Sequence, residues 1–343
     1  MLHDKYKDRG LTGLANVGNS CYINSCMQLL SHTYELNDFL DSFNKDKINN
    51  NVEALIFKEW DKLRQLMWSE NCTIAPWGYI KAVQFVAKKK DMDLFTGFAQ
   101  NDVSEFLLFI IDCMHTGIKR EVNMTISGNP ENSTDILATE CFKMMQNMYK
   151  REYSELLNIF YGISVTQIKS FNSDEILSRT CEPFSLLSLS LPEKNMISIF
   201  DCLDLYGKDE ELCNDNAWFN DKTNRKEDVK KNTVFWSLPN ILIVHLKRFN
   251  NANRKIHTMV TTPITDVDFS KWISGYNASE YIYDLFGTGN HSGSVLGGHY
   301  TANVKNANGK WYSFNDTRVE EITENSVITQ HTYCLFYRKK NKN

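Results

Sequence analysis

The sequence predicts an α+β fold, and three observations carry the prediction. Apolar residues recur at helical spacing through the first half of the chain. The second half alternates, or runs apolar in short β-branched stretches. No internal repeat and no flexible linker separates the halves, so helices and strands share one site.

The elements follow in order. Ile23, Cys26, Met27 and Leu30 fit the i, i+3, i+4, i+7 stripe of one buried helix face. Residues 52–69 and 78–89 repeat that spacing. Residues 103–114 are apolar nearly all round, the pattern of a helix buried on most sides. Residues 136–161 form a further helix candidate. Residues 185–191 then alternate and stop at Pro192. Ile241 to Leu246 is a short apolar, β-branched run, as in a central strand. Tyr281–Leu285, Tyr300–Val304, Trp311–Phe314 and Tyr333–Tyr337 are further strands. The polar stretches 206–233 and 250–280 read as long hairpins, loops or insertions.

Composition excludes several classes. Apolar residues make up 42% and charged residues 23% of 343 residues, as in ordinary globular proteins. The net charge of −4, without a basic stripe, leaves no footprint for nucleic acid or a membrane surface. No run of about 18 apolar residues spans a bilayer. The first nine residues are polar and make no secretory signal, and the nine widely spaced cysteines read as reduced thiols. A cytoplasmic or nuclear location is expected.

The most informative stretch runs from Gly13 to Ser25. Gly13, Gly18, Asn16 and Asn19 make a tight turn that leads straight into the first helix. Cys21 therefore lies at a helix N-terminus, where free N–H groups favour an anion. The expectation is a thiol with its pKa pulled below about 8.5 and thus reactive. The same N–H groups, with the Asn16 amide, suit the oxyanion of an acyl intermediate. A buried structural thiol is the alternative, and Cys26, on the apolar stripe, takes that reading.

A thiol nucleophile needs a histidine base and a group that orients the imidazole. His299 follows Gly297 and Gly298, whose missing side chains let a substrate backbone pass closely, and it opens a strand. A turn at Asn306–Gly309 folds this strand onto Trp311–Phe314. A hairpin sets its outer ends side by side, so Asn315 or Asp316 reaches His299. His245 lies mid-strand and reads as a core residue.

Together these residues resemble the ubiquitin-specific protease family of deubiquitinating cysteine proteases. The resemblance rests on five ordered segments: Gly13–Ser25 with Gln28 and Leu30; Gln100-Asn101-Asp102 with Glu105-Phe106-Leu107; Leu246-Lys247-Arg248-Phe249; Gly297–Ala302 with Trp311-Tyr312 and Phe314-Asn315-Asp316; and Tyr333–Tyr337. Ser20 stands where the family usually has Thr. The resemblance implies one papain-like catalytic domain over 10–340. A helical thumb would span about 10–155, with β fingers and a β palm over about 156–340. It implies hydrolysis after the C-terminal Gly of ubiquitin, with ubiquitin and ubiquitinated proteins as partners and no cofactor. Cys21 would be nucleophile, His299 base, Asn315 orienter and Asn16 oxyanion donor, with Asp316 supporting the site. Asp102, with Gln100, Gly297 and Gly298, would hold the ubiquitin tail, and Glu105 would meet its arginines or support its own helix. The glycine-rich run 286–298 would be a mobile loop over the cleft. Two alternatives stay open: a ubiquitin-binding adaptor without activity, and a protease for another ubiquitin-like modifier.

The resemblance also implies a structural zinc in the fingers, held by two Cys-x-x-Cys pairs. Here those places fall on Ser170, Ser173, Cys213 and Asn216. One cysteine does not make a structural zinc site, so no zinc is expected.

Overall fold

A computed structural model describes residues 3–295 and 297–340. Six helices build the thumb: α1 (Cys21–Ser31), α2 (Tyr34–Ser42), α3 (Ala54–Ser69), α4 (Trp77–Lys89), α5 (Val103–Ile118) and α6 (Ser133–Tyr149). Every residue of α1 is buried, its polar ones included. It is therefore a central post, not the one-sided helix its apolar stripe suggests. Asn24, Ser25 and Gln28 survive there by hydrogen bonding to backbone carbonyls, Gln28 Nε2 donating to Thr12 O at 2.8 Å. Cys26 is core, as expected, fully buried with its sulfur 3.9 Å from Val103 O.

Residues 136–161 do not form one helix. Arg120 and Tyr153 exchange backbone hydrogen bonds of 2.9 and 2.8 Å, which pulls the chain out of helical geometry after Tyr149. A short α7 (Leu156–Phe160) follows, and α8 (Ile199–Tyr206) comes later behind a Ser198–Asp201 capping box.

The palm is an eight-stranded sheet. Its main path runs Arg318–Ile322, Trp311–Asn315, Gly297–Lys305, Ile282–Ser294, Thr332–Lys339, Ile241–Lys247 and Leu187–Ser190. Only the last pair is parallel. Ile241–Lys247 is an interior strand, one in from the edge strand Leu187–Ser190 and not at the middle of the sheet, and it is buried along nearly its whole length, as its β-branched run requires. The fingers are a second sheet, ordered Ile176–Phe184, Gly162–Ser170, Val229–Ser237 and Glu210–Leu212. Part of the stretch 206–233 is thus strand, and it pairs with elements the sequence left unassigned. The main apolar core joins the thumb helices to the inner palm face, and a smaller one joins α6 to the fingers.

The expected mobile loop over 286–298 is instead a hairpin, apart from Leu296, which lies outside the described residues. Gly287–Ser294 pairs antiparallel with Gly297–Val304. Glycine serves packing there: a Cβ on Gly287 would lie 2.6 Å from Leu29 Cδ2, so a side chain at this position would push against α1. Among the described residues no helix is long and apolar enough to cross a membrane.

Candidate active site

Cys21 is the first residue of α1, and the turn before it is locked by side chains. Asn16 Oδ1 accepts from Ser20 N–H at 3.0 Å, and Ser20 Oγ accepts from Val17 N–H at 2.9 Å. Gly18 (φ 82°) and Asn19 (φ 60°) occupy the left-handed region that the turn demands. The backbone of Tyr300, the neighbour of His299, and the backbone of Tyr22 and Cys21 itself act on the thiol to favour its anion. The expected lowering of its pKa does not hold. Burial pushes the Cys21 thiol above its ordinary value, the backbone groups oppose this only in part, and the Asp316 carboxylate adds to the rise. The surroundings thus hold Cys21 toward its thiol form, and a base has to take its proton.

His299 meets that need from the palm. Its Nε2 lies 2.7 Å from Asn315 Oδ1, an acceptor, a contact that favours the tautomer with the ring proton on Nε2 and the lone pair on Nδ1. The hairpin brings Asn315, and not Asp316, to His299. Asp316 turns away in a left-handed conformation (φ 51°) and grips the thumb. Its Oδ2 accepts from Asn16 Nδ2 at 3.0 Å and its Oδ1 from Asn24 Nδ2 at 2.8 Å. Its carbonyl accepts from Leu14 N–H at 2.9 Å. A Cβ on Gly13 would sit 2.3 Å from Thr317 O, so glycine is what lets the two backbones meet at this seam. Asn24 was missed as a site residue, although a buried amide one turn after the nucleophile was its signal.

A groove of about 160 Å³ leads along the same seam, lined by Gln100, Asn101, Asp102, Phe249, His291, Ser294, Val295, Gly297, Gly298 and Tyr300. Gln100 spans it: Oε1 accepts from Gly298 N–H at 2.6 Å and Nε2 donates to Gly298 C=O at 2.7 Å. Asp102 caps α5, accepting from Ser104 N–H at 2.7 Å, while its other oxygen accepts from Tyr333 OH at 2.5 Å. Burial pushes its carboxyl up, but the Ser104 and Tyr333 hydroxyls outweigh this and hold it below the usual carboxylate range. Glu105 sits in the first turn of α5, its carboxyl raised by burial and by Asp102.

Beneath the groove lie Lys255, which the sequence did not single out, and Arg248, which stood out there only as part of a motif. Lys255 Nζ donates to His291 O at 2.5 Å and lies 3.0 Å from His291 Nδ1. Fully buried Arg248 donates to Thr332 O, Ile256 O and Thr258 O at 2.6, 3.0 and 2.7 Å, which fixes the Lys255 segment against the palm. Burial, with the Lys255 charge, holds His291 neutral, its pKa lowered to about 4. His245 is also held to about 4 by burial, with its Nδ1 3.1 Å from Ser188 Oγ, in keeping with a core role.

The places implied for zinc carry the wrong donors. Ser170 ends its strand opposite Val229, Ser173 Oγ accepts from Glu175 N–H at 3.4 Å, and Cys213 precedes the turn that holds Asn216. One thiol, two hydroxyls and an amide do not fit a structural zinc. Among the described residues no cluster of three or more His, Cys, Asp or Glu side chains is placed to hold a metal.

Residues 12–337 match the family model described as ubiquitin carboxyl-terminal hydrolase. The chain is 32% identical over 345 residues to ubiquitin carboxyl-terminal hydrolase 2 of Homo sapiens, covering 96% of this chain and 55% of the relative. It is 26% identical over 428 residues to probable ubiquitin carboxyl-terminal hydrolase R319 of Acanthamoeba polyphaga mimivirus, covering 96% of this chain and 90% of that protein. The chain spans about half the length of the human relative. Among solved structures it is similar to a chain of the SAGA Ubp8/Sgf11/Sus1/Sgf73 DUB module bound to ubiquitin aldehyde. The TM-score is 0.73 at 22% identity, with 100% of this chain and 72% of that chain covered. That likeness concerns the fold, an α+β papain-like arrangement.

Proposed function

This chain belongs to the ubiquitin carboxyl-terminal hydrolase family, and we propose that it is a deubiquitinating thiol protease acting on ubiquitin and ubiquitinated proteins. Residues 10–340 form its single catalytic domain. The observation that carries this reading is the seam itself. His299 is held by Asn315 at 2.7 Å with Nδ1 left as a base, on the strand Gly297–Lys305 that packs against α1, the helix Cys21 begins.

The chemistry is acyl transfer in two steps. Cys21 gives its proton to His299 Nδ1 and attacks the carbonyl of the substrate's terminal glycine. Asn315 keeps the imidazole in the tautomer that can accept, and stabilises the imidazolium that forms. The oxyanion is met by the Cys21 backbone N–H and by the second N–H of Asn16, whose first is bound to Asp316. Asp316 is thus a positioning residue: it aims the oxyanion donor. His299 returns the proton to the leaving amine, and a water activated by His299 then releases the acyl group.

The substrate tail runs in the groove beside Gly297 and Gly298. The amide of Gln100 pairs with Gly298 as a neighbouring strand would, so an entering backbone replaces it bond for bond. Asp102 keeps one oxygen on the α5 N-terminus and offers the Tyr333-bound side to the tail. The donor set at Ser170, Ser173, Cys213 and Asn216 supports fingers that hold without zinc. A cytoplasmic or nuclear location is supported by nine free cysteines.

The test is a ubiquitin probe with a thiol-reactive C-terminus, applied to the wild type and to Cys21→Ala. A covalent adduct with the wild type and none with the variant is expected. Ubiquitin binding without an adduct would replace this reading by an adaptor role. Neither binding nor adduct would point to another ubiquitin-like modifier.

A further inference from the structure

We propose that Cys141 and Cys181 are a reversible redox clasp, closing to a disulfide under hydroperoxide and stapling α6 to the fingers sheet. Cys141 is fully buried on α6, and Cys181 is partly exposed on the Ile176–Phe184 strand. Forty residues apart in sequence, their sulfurs lie 3.5 Å apart, in hydrogen-bond contact. Among the described residues this is the only such pair of sulfurs. A disulfide needs about 2.05 Å, so the sulfurs must close by about 1.5 Å.

The surroundings keep the thiols opposed. Arg179, two residues before Cys181 and so on the same strand face, pairs with Glu140 at 3.3 Å. Glu140 is the helix neighbour of Cys141, so this pair sets the register of helix against strand. Beneath lies the dry cluster of Leu137, Ala138, Val165 and Trp236. The partners also divide the labour. The hydrogen bond between them lowers the Cys181 pKa and raises that of Cys141. Exposure and proton sharing thus both make Cys181 the attacking sulfur.

The step balances. The Cys181 thiolate attacks one peroxide oxygen; an S–O bond forms, the O–O bond breaks, and the departing oxygen leaves as water after protonation. Cys141 Sγ then attacks the sulfenic sulfur. The S–S bond forms, the S–O bond breaks, and the hydroxide takes the Cys141 proton as a second water. Two thiols are oxidised and one hydrogen peroxide is reduced. A dithiol reverses the result by exchange. In a reducing compartment such a bond is transient, as expected of a sensor and not of a permanent brace.

The whole chain is treated with hydrogen peroxide, its remaining thiols are alkylated, and it is digested without reduction. The expected result is a peptide pair joined through Cys141 and Cys181 that separates with dithiothreitol and is absent from Cys181→Ser. The oxidised wild type melts about 5 °C higher than the reduced one, and Cys181→Ser shows no such rise. Cys141→Ala, with no buried hydroxyl, repeats the test from the helix side. Alkylatable thiols at both positions after peroxide, irreversible sulfinic acid at Cys181 without a cross-link, or pairing with Cys72 or Cys213 instead would each overturn the clasp.

Discussion

The cleft and the fingers are held together in opposite ways. At the cleft, thumb and palm meet through side-chain amides and a carboxylate: Asn16 and Asn24 on Asp316, Gln100 on Gly298, and Asn315 on His299. In the fingers, a backbone ladder carries the sheet, and a small apolar cluster around Trp236, with the single Arg179–Glu140 ion pair, ties it to α6. Directional polar bonds fix atoms to within tenths of an ångström, as acyl transfer requires. Ladders and apolar contacts fix a shape and tolerate substitution.

The largest effect expected from this difference is at the reacting groups. Cys21→Ala and His299→Ala should each lower turnover of a ubiquitin–fluorophore substrate by about 10³-fold or more. Melting temperatures should stay near the wild type. Measurable turnover by Cys21→Ala within about tenfold of the wild type would end the nucleophile assignment.

Next in size is a paired comparison across the two regions. Asn16→Ala should cost about 10²–10³-fold in kcat with little change in KM, since the second N–H of its amide serves the developing oxyanion, and it should also lower the melting temperature, because the rest of the amide holds Ser20 and Asp316. Trp236→Ala should leave kcat within about twofold while costing about 3–5 kcal/mol of stability, because it empties the α6–fingers cluster. If Trp236→Ala lowered kcat as far as Asn16→Ala, the mechanical separation of the two regions would fail.

What the sequence disclosed divides along the same line. The placing of Cys21 at a helix start, and of His299 beside Asn315 or Asp316, was legible because it follows from local geometry, a turn into a helix and one hairpin; the choice of Asn315 over Asp316 came from the resemblance. The two-amide grip of Asp316 was not legible, since Asn24 meets it only after distant segments fold together. The thiol state of Cys21 was misjudged for a related reason: a helix N-terminus is visible in sequence, but the burial that overrides it is not. In the fingers, Ile176–Phe184 is half-exposed on both faces and carries little alternation. Its pairing is set by the backbone, which leaves no pattern in side chains.

Acid should expose the contrast more gently. His32, His245 and His291 are each lowered to about 4, with burial as the main cause, and they lie in thumb and palm. The segment 162–237, which includes the fingers, contains no histidine at all. A histidine whose folded pKa is below its unfolded value of about 6.5 binds its proton mainly when unfolded. The stability it contributes is present above pH 6.5 and is lost as pH falls toward 4. The melting temperature should drop by several degrees between pH 7 and pH 5, and hydrogen exchange should show the strands 241–247 and 282–294 losing protection before 162–170. Loss in the fingers first would reverse the order. At the alkaline end, alkylation of Cys21 in the free protein should keep climbing above the ordinary thiol pKa, because burial raises its own.

The smallest expected effect is none, and it is the sharpest test of how the fingers are held. A structural zinc contributes folding energy outright, so a chelator unfolds a domain that depends on one. Here Ser170 already belongs to a strand, opposite Val229, and Ser173 holds the turn at Glu175. The nine-residue strands Gly162–Ser170 and Val229–Ser237 pair along nearly their full length, which supplies locally what a metal would otherwise supply. Incubation with a strong chelator should therefore leave the melting temperature within about one degree, and metal analysis should find less than a tenth of a zinc per chain. A chelator-induced fall comparable to that of Trp236→Ala would mean that Cys213 has recruited ligands from elsewhere, and that the fingers, like the cleft, depend on directional bonds.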